Sequence, residues 1–317
     1  MNVIIVISVI AVLTAAITFL GAYLLIRTAF FYHDDRDRRT MTDLMLNPAN
    51  TNESRDNIVW LFKRLEAEKS EEMSVKSFDG LSLNGLFLPS DKCNNRLIIC
   101  FHGYTATGLY EFGHIVRFFH EKGFDVLLPD MRAHGRSEGK ITTMGTLERK
   151  DIKPWVELAQ EKFPDRDIYL MGVSMGGASV LGAASTLPEG IKGIVADSVF
   201  TNANDTIKRC CKTLFNIPLF PLFYAARLMC RLFYGWNFKE YAVDEALTEN
   251  KTIPVLFIHG GNDKVAPPQS LEINFSKCAA PKKAYLDDEA GHAQCSFNSP
   301  DNYYKALSDF FDFCDNQ

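Results

Sequence analysis

Charge is missing from the start of this 317-residue chain: between Val3 and Ile26 there is no Asp, Glu, Lys or Arg. At ~1.5 Å of rise per residue such a run is long enough for a helix to cross a hydrocarbon core of ~30 Å. Lys and Arg are also missing ahead of the run, where only Asn2 stands, whereas a secretory signal normally carries them there. The run exceeds an ordinary signal core as well. The reading is a membrane anchor over residues 1–27, with a cleaved signal peptide as the weaker alternative. No long basic run occurs elsewhere and the formal net charge is -5, which argues against nucleic acid as a partner. The eight cysteines form no small-domain disulfide framework, and no Cys/His grouping has zinc-ligand spacing, so no metal centre is expected. Internal repeats and low-complexity tracts are absent too.

What is present is a large apolar inventory. Hydrophobic residues make up 47% of the chain, 24 of them phenylalanine, ample for a substantial core. Arg27, Arg36, Arg38 and Arg39 lie just after the apolar run, and the positive-inside tendency places that flank and the following domain in the cytoplasm. Asp34, Asp35 and Asp37 interleave with them but weigh little in that rule. Residues 28–72 read as a polar juxtamembrane linker broken at Asn47-Pro48. Within it Ile58, Trp60, Leu61, Phe62 and Leu65 predict a short amphipathic helix that packs on the domain, with a position on the membrane surface as the less favoured reading.

The folded domain is expected over residues 73–317. Ser74–Phe78 and Leu81–Phe87 flank Asp79-Gly80 and predict a hairpin. Strands are then predicted at Leu97–Phe101, Asp125–Leu128, Ile168–Met171, Ile191–Ala196, Val255–Ile258 and Ala284–Leu286. Helices are predicted at Glu111–Lys122, Leu147–Lys162, Gly176–Thr186, Ser270–Cys278 and Asn302–Phe313. This alternation is that of an α/β fold with a mostly parallel central sheet and helices on both faces. One stretch breaks it. About residues 200–251 separate two strands by far more than the usual few-residue connection. The stretch is rich in large apolar side chains and is divided by Pro218 and Pro221. It reads as a helical cap, either packed on the core or roofing an apolar pocket, or both.

The chemistry centres on Gly172-Val173-Ser174-Met175-Gly176. A serine in Gly-x-Ser-x-Gly after a strand and before a helix sits on a sharp turn that presents its hydroxyl at the sheet edge. Serine needs a base to act as a nucleophile, and histidine is the usual one near neutral pH. His292 follows the last predicted strand on a glycine-containing loop. Asp263 follows the Val255–Ile258 strand, where a carboxylate can fix the tautomer of the imidazole. Asp197, at the end of the Ile191–Ala196 strand, is an alternative acid. The order Ser174, Asp263, His292 is that of a nucleophile-elbow enzyme. Phe101-His102-Gly103-Tyr104 closes a strand beside the elbow, so the N–H of Tyr104 and the N–H of Met175 are the expected oxyanion donors, with Gly103 as an alternative to Tyr104. His102, His134 and His259 are expected to be structural.

On these residues the sequence resembles the α/β-hydrolase superfamily, and within it the prokaryotic serine esterases that carry an N-terminal membrane segment. The marks are His102-Gly103, Asp130–Ser137, the elbow at Ser174, Gly260–Asp263 and Gly291-His292. Ala133 stands where the superfamily pattern has glycine. The resemblance implies an α/β-hydrolase fold with a cap insertion behind one transmembrane helix. It further implies an acyl-enzyme mechanism without a cofactor, acting on an ester or thioester of a small-molecule or lipid-like substrate with an apolar acyl group. An amidase or peptidase would use the same machinery. A membrane-tethered binding scaffold without activity is the rival from another class. Oligomeric state is left open.

Overall fold

The computed structural model describes residues 3–31, 45, 47–67, 69–92 and 94–317. Arg36, Arg38 and Arg39, with their neighbouring aspartates, lie outside the described residues. Helix α1 runs Val3–Phe30, four residues past the end of the uncharged run. Helix α2 follows at Asn52–Glu66, with the Thr51 hydroxyl accepting the Ser54 N–H at 3.1 Å as an N-cap.

Eight strands form one sheet in the order β1-β2-β4-β3-β5-β6-β7-β8. They are β1 Glu71–Lys76, β2 Ser82–Leu88, β3 Arg96–Phe101, β4 Phe124–Pro129, β5 Asp167–Val173, β6 Ile191–Asp197, β7 Val255–Gly260 and β8 Lys282–Asp287. The β1–β2 hairpin and the β2–β4 pair are antiparallel, and all other pairs are parallel. Strand β1 begins at Glu71, two residues before the expected domain start. Glu71 and Glu72 already pair with Phe87 and Leu86, but their exposed side chains carry no apolar signal.

Between the strands lie α3 (Gly108–Phe112), α4 (Val116–Glu121), α5 (Glu148–Lys162), α6 (Met175–Ala183), α7 (Ala203–Arg209), α8 (Tyr224–Phe233), α9 (Val243–Ala246) and α10 (Gln269–Lys277), and after β8 come α11 (Cys295–Asn298) and α12 (Pro300–Asp315). The single helix expected over 111–122 is two. The chain turns between them to bury His114, whose ring stacks on Phe297 at 4.3 Å and meets Ser296 Oγ at 3.0 Å. The interrupted turn also leaves the His114 carbonyl to accept Asn57 Nδ2 from α2 at 3.1 Å.

Alternation along β3 feeds two cores. Leu97, Ile99 and Phe101 join one apolar cluster with Trp155 of α5 and Ala178 of α6, whereas Ile98 and Cys100 join the other with Phe119 of α4 and Phe311 of α12. Leu61 of α2 is fully buried in that second cluster, so the predicted amphipathic helix packs on the domain. Residues 198–254, which join β6 to β7 and contain the stretch expected to be a cap, hold α7, two short helical turns (Cys210–Leu214 and Leu219–Phe223), α8 and α9. The interior of this segment is Phe223, Ala226, Cys230, Trp236 and Phe238. The last two turns of α1 dock on it, with the Phe30 ring 5.4 Å from Trp236 and 5.6 Å from Phe238.

Candidate active site

Strand β5 ends at Val173 and α6 begins at Met175, so the single residue Ser174 makes the whole turn. It does so at φ 50° and ψ -110°, a conformation that costs a non-glycine residue of order 1–3 kcal/mol. The turn can be this tight only because its neighbours lack side chains. A Cβ on Gly176 would stand 2.0 Å from the Phe101 carbonyl oxygen, and one on Gly172 would stand 2.4 Å from the Gly177 nitrogen. The turn is tied to the next strand by Ser174 N–H donating to the Asp197 carbonyl at 2.8 Å.

Three loops at the C-terminal edge of the sheet bring together Ser174, His292 and Asp263. His292 Nε2 lies 2.9 Å from Ser174 Oγ, and His292 Nδ1 lies 2.7 Å from Asp263 Oδ2. The Asp263 side chain is wholly buried. Its other oxygen accepts the N–H groups of Val265 at 2.8 Å and Ala266 at 2.9 Å. With Nδ1–H donated to the carboxylate, Nε2 faces the serine hydroxyl as an acceptor. His259 braces this loop from below, donating from Nε2 to the Ala266 carbonyl at 2.8 Å. Its 3.5 Å approach to Asp263 Oδ2 is too long for a second bond.

Asp197, the alternative acid, faces elsewhere. Its carboxyl accepts Ser198 Oγ–H at 2.8 Å and Tyr303 O–H at 2.9 Å. Burial pushes that carboxyl above the usual carboxylate range. Its role is nonetheless close to the site. Ser198 Oγ accepts the N–H of Ala293 at 3.0 Å, so the residue after His292 is pinned to the residue after Asp197. Sequence reading missed Ser198 and Tyr303, and nothing in their neighbours' pattern marks them. Only the crossing of β6 beside β5 makes them relevant.

At the expected oxyanion position, the Gly103 backbone lies against the elbow: a Cβ there would stand 3.6 Å from Ser174 Cβ. The Gly103 N–H is already engaged by Glu111 Oε2 at 3.3 Å, which favours Tyr104 over Gly103 as the donor. Met175 is the first residue of α6, where an amide has no intrahelical acceptor. The Tyr104 hydroxyl donates to the Ala29 carbonyl of α1. His102 and His134 hold the surrounding loops: His102 Nε2 accepts the Met131 N–H at 2.9 Å and His134 Nε2 accepts the Thr105 N–H at 3.3 Å. Arg132 clamps the Asp130–Ser137 loop through paired bonds to Asp79 and Asp151. Ala133, where the superfamily pattern has glycine, sits at φ 58°, so the alanine is held in the backbone conformation that glycine adopts freely. Among the described residues no group of three or more His, Cys, Asp and Glu has the arrangement of a metal site.

Residues 96–210, which include β3, the elbow and the cap's first helix, match the family model described as "alpha/beta hydrolase fold". The chain is 28% identical over 254 residues to the uncharacterized protein YqkD of Bacillus subtilis, covering 80% of this chain and 82% of that one. Its fold is similar to that of the Pyrococcus furiosus esterase Pf2001, with TM-score 0.65, 23% identity, and coverage of 78% and 93% of the two chains. It is also similar to Est1E from Butyrivibrio proteoclasticus, solved with ferulic acid bound, with TM-score 0.59, 21% identity, and coverage of 77% and 100%. At these identities the structural likeness is one of fold. Strand order, structural neighbours and family model agree that the chain has the α/β-hydrolase fold.

Proposed function

We propose that this protein is a membrane-anchored serine hydrolase that cleaves a carboxylic ester or thioester with an apolar acyl group. The observation that carries the reading is the continuous hydrogen-bonded line from Ser174 Oγ through His292 to the buried Asp263, set on a strained elbow. Ser174 Oγ attacks the acyl carbonyl carbon while His292 Nε2 takes its proton. The N–H groups of Tyr104 and Met175 receive the oxyanion, each such donor contributing about 3 kcal/mol to the transition state. Collapse of the tetrahedral intermediate breaks the bond to the leaving group, which departs with the proton from His292. Water, deprotonated by the same nitrogen, then attacks the acyl-enzyme and releases the acid. Asp263 keeps the imidazole in the working tautomer and stabilises its cation throughout.

Two further features support the finer parts of the reading. The segment between β6 and β7 is rich in large apolar side chains, buried and exposed, which fits an apolar acyl group. Helix α1 has a mean hydropathy of 2.9 over its most apolar stretch, and none of that stretch is buried, which fits a single membrane crossing. Arg27 at its C-terminal end fits a cytoplasmic hydrolase domain.

A fluorophosphonate probe tests the chemistry. Wild-type protein is expected to label and Ser174→Ala is not, and labelling that persists in Ser174→Ala would rule out the mechanism. Rates across p-nitrophenyl esters of increasing chain length test the acyl preference, and a sharp preference for acetyl would count against it. Protease accessibility in intact cells tests sidedness, and cleavage from outside would reverse it.

A further inference from the structure

We propose that the outer face of the cap is a membrane-docking surface, seated in the headgroup–acyl boundary of the bilayer that α1 crosses, and that the substrate is an acyl ester held in that leaflet. The second half rests on the hydrolase reading above; the first does not.

The depth of the cap follows from where it meets α1. Helix α1 has 28 residues, about 42 Å at 1.5 Å each, whereas the hydrocarbon core takes only about 20 residues. Its first charged residue is Arg27, so the apolar zone ends at or before that point. The cap contacts α1 earlier. A Cβ on Gly21 would stand 3.0 Å from Leu222 Cδ1, and Ala22, Ile26 and Phe30 are buried at four-residue spacing. Gly21 lies roughly 9 Å along the axis on the membrane side of Arg27. The Leu219–Phe223 turn therefore cannot stand clear of the bilayer while α1 spans it.

The side chains on that face suit the depth. Leu214, Phe215, Phe220, Leu228, Leu232 and Phe233 are all exposed, Phe220 at 80%, and Leu228 and Leu232 lie one turn apart on α8. Large apolar side chains are costly to leave in water in such numbers and mark an interaction surface. Charge points to the same occupant. Residues 206–239 carry six Lys and Arg and no Asp or Glu, in a chain of net charge -5. Apolar side chains among basic ones match an anionic leaflet, where the apolar groups enter about 5–10 Å and the cations meet the headgroups. A second copy of the chain would have to reach this face beside a helix already surrounded by lipid. The Tyr104 loop lies on the aqueous side of that level but near it: Tyr104 bonds to Ala29, eight residues or roughly 12 Å along the axis from Gly21, so an ester in the leaflet has only a short distance to travel.

Depth-dependent fluorescence tests the surface. Full-length protein carrying Phe220→Trp is reconstituted in phosphatidylcholine–phosphatidylglycerol vesicles with brominated acyl chains. Its added emission is expected to fall at least about twofold, while that of Ile273→Trp, exposed on α10, is not. Unquenched Phe220→Trp overturns the docking surface, and a cross-linked dimer through the cap in that case assigns the face to a second copy. Leu232→Asp tests the substrate half. It should leave p-nitrophenyl butyrate hydrolysis in detergent unchanged and lower hydrolysis of p-nitrophenyl palmitate in the vesicles about tenfold or more. Equal rates on the vesicle ester overturn the lipid-phase source. Quenching without any fluorophosphonate labelling leaves the docking surface standing and removes the hydrolase reading instead.

Discussion

Replacing Asp263 by asparagine isolates the electrostatic part of the proposed mechanism, because the side chain keeps its size in a wholly buried position. Asp263 Oδ1 already accepts two loop amides, at 2.8 and 2.9 Å. The asparagine oxygen is held by those donors, so its NH2 group must face His292 Nδ1, now 2.7 Å from a carboxylate oxygen. A donor there forces Nδ1 to accept and moves the ring proton to Nε2. Nε2–H then points at Ser174 Oγ and cannot take its proton. The tautomer is wrong and the cation loses its counter-charge, which is expected to lower kcat about 10⁴-fold, or about 5 kcal/mol of transition-state energy. KM should change little, since Asp263 does not reach the substrate. Asp197→Asn is the control, because Asp197 bonds to Ser198 and Tyr303 and to no histidine; its kcat should stay within about tenfold of wild type. The assay is p-nitrophenyl ester turnover with thermal unfolding in parallel, so that loss of fold is separated from loss of chemistry. An Asp263→Asn enzyme that keeps a tenth of its kcat, or an Asp197→Asn enzyme that falls as far as Asp263→Asn, refutes the assignment.

The remaining predictions concern stability. In Gly176→Ala the new Cβ meets two backbone oxygens, of Phe101 at 2.0 Å and of His102 at 2.6 Å; neither can yield alone, so the elbow should open with loss of probe labelling and about 3 kcal/mol or more of stability. Phe30→Ala empties the space between Trp236 and Phe238 and is expected to cost about 3–5 kcal/mol in thermal unfolding in detergent; an unchanged melting temperature would show that α1 does not dock on the cap. Burial lowers the His114 pKa to about 4 from its ordinary 6.5. The folded protein therefore refuses a proton that the unfolded chain accepts, and the stability His114 leaves intact at neutral pH is lost as pH falls from 6.5 toward 4, by about 3 kcal/mol. His114→Asn should flatten the melting temperature against pH over that window, and an unaltered slope would contradict it.

Much of this architecture is written in short-range pattern. The apolar runs that form β3 to β7 are continuous because both sheet faces are covered, and each strand was readable to within two residues from that alone. That Ser174, His292 and Asp263 come together was readable for a related reason: each lies within five residues of a strand's C-terminal end, and parallel strands in one sheet deliver their C-terminal loops to one edge. What pattern does not carry is pairing between elements far apart in the chain. Ser198 reaches Ala293 across 95 residues, and Phe30 enters the cap 206 positions before Trp236 in sequence. The single helix expected over 111–122 failed because the apolar spacing continues through His114. The break is set by Asn57 and Ser296, which the local sequence does not contain.

The distribution of backbone strain gives the site a physical logic beyond its three side chains. Thr105, Ser174, Ser198 and Ala293 all have left-handed φ, at 61°, 50°, 55° and 56°. One is the proposed nucleophile, and the other three directly follow Tyr104, Asp197 and His292. Each costs about 1–2 kcal/mol relative to an ordinary conformation, so together they oppose folding by an amount comparable to the whole net stability of a domain. Such a set persists only where the surroundings over-determine it. Here they do: the strands behind Thr105, Ser174 and Ser198 are almost wholly buried, and the turns at Ser174, Ser198 and Ala293 are linked through Ser174–Asp197 and Ser198–Ala293. Relaxing any one of them would carry its loop away from the serine, so in the proposed mechanism the strain is the cost of holding nucleophile, base and oxyanion donors in one place before the substrate arrives.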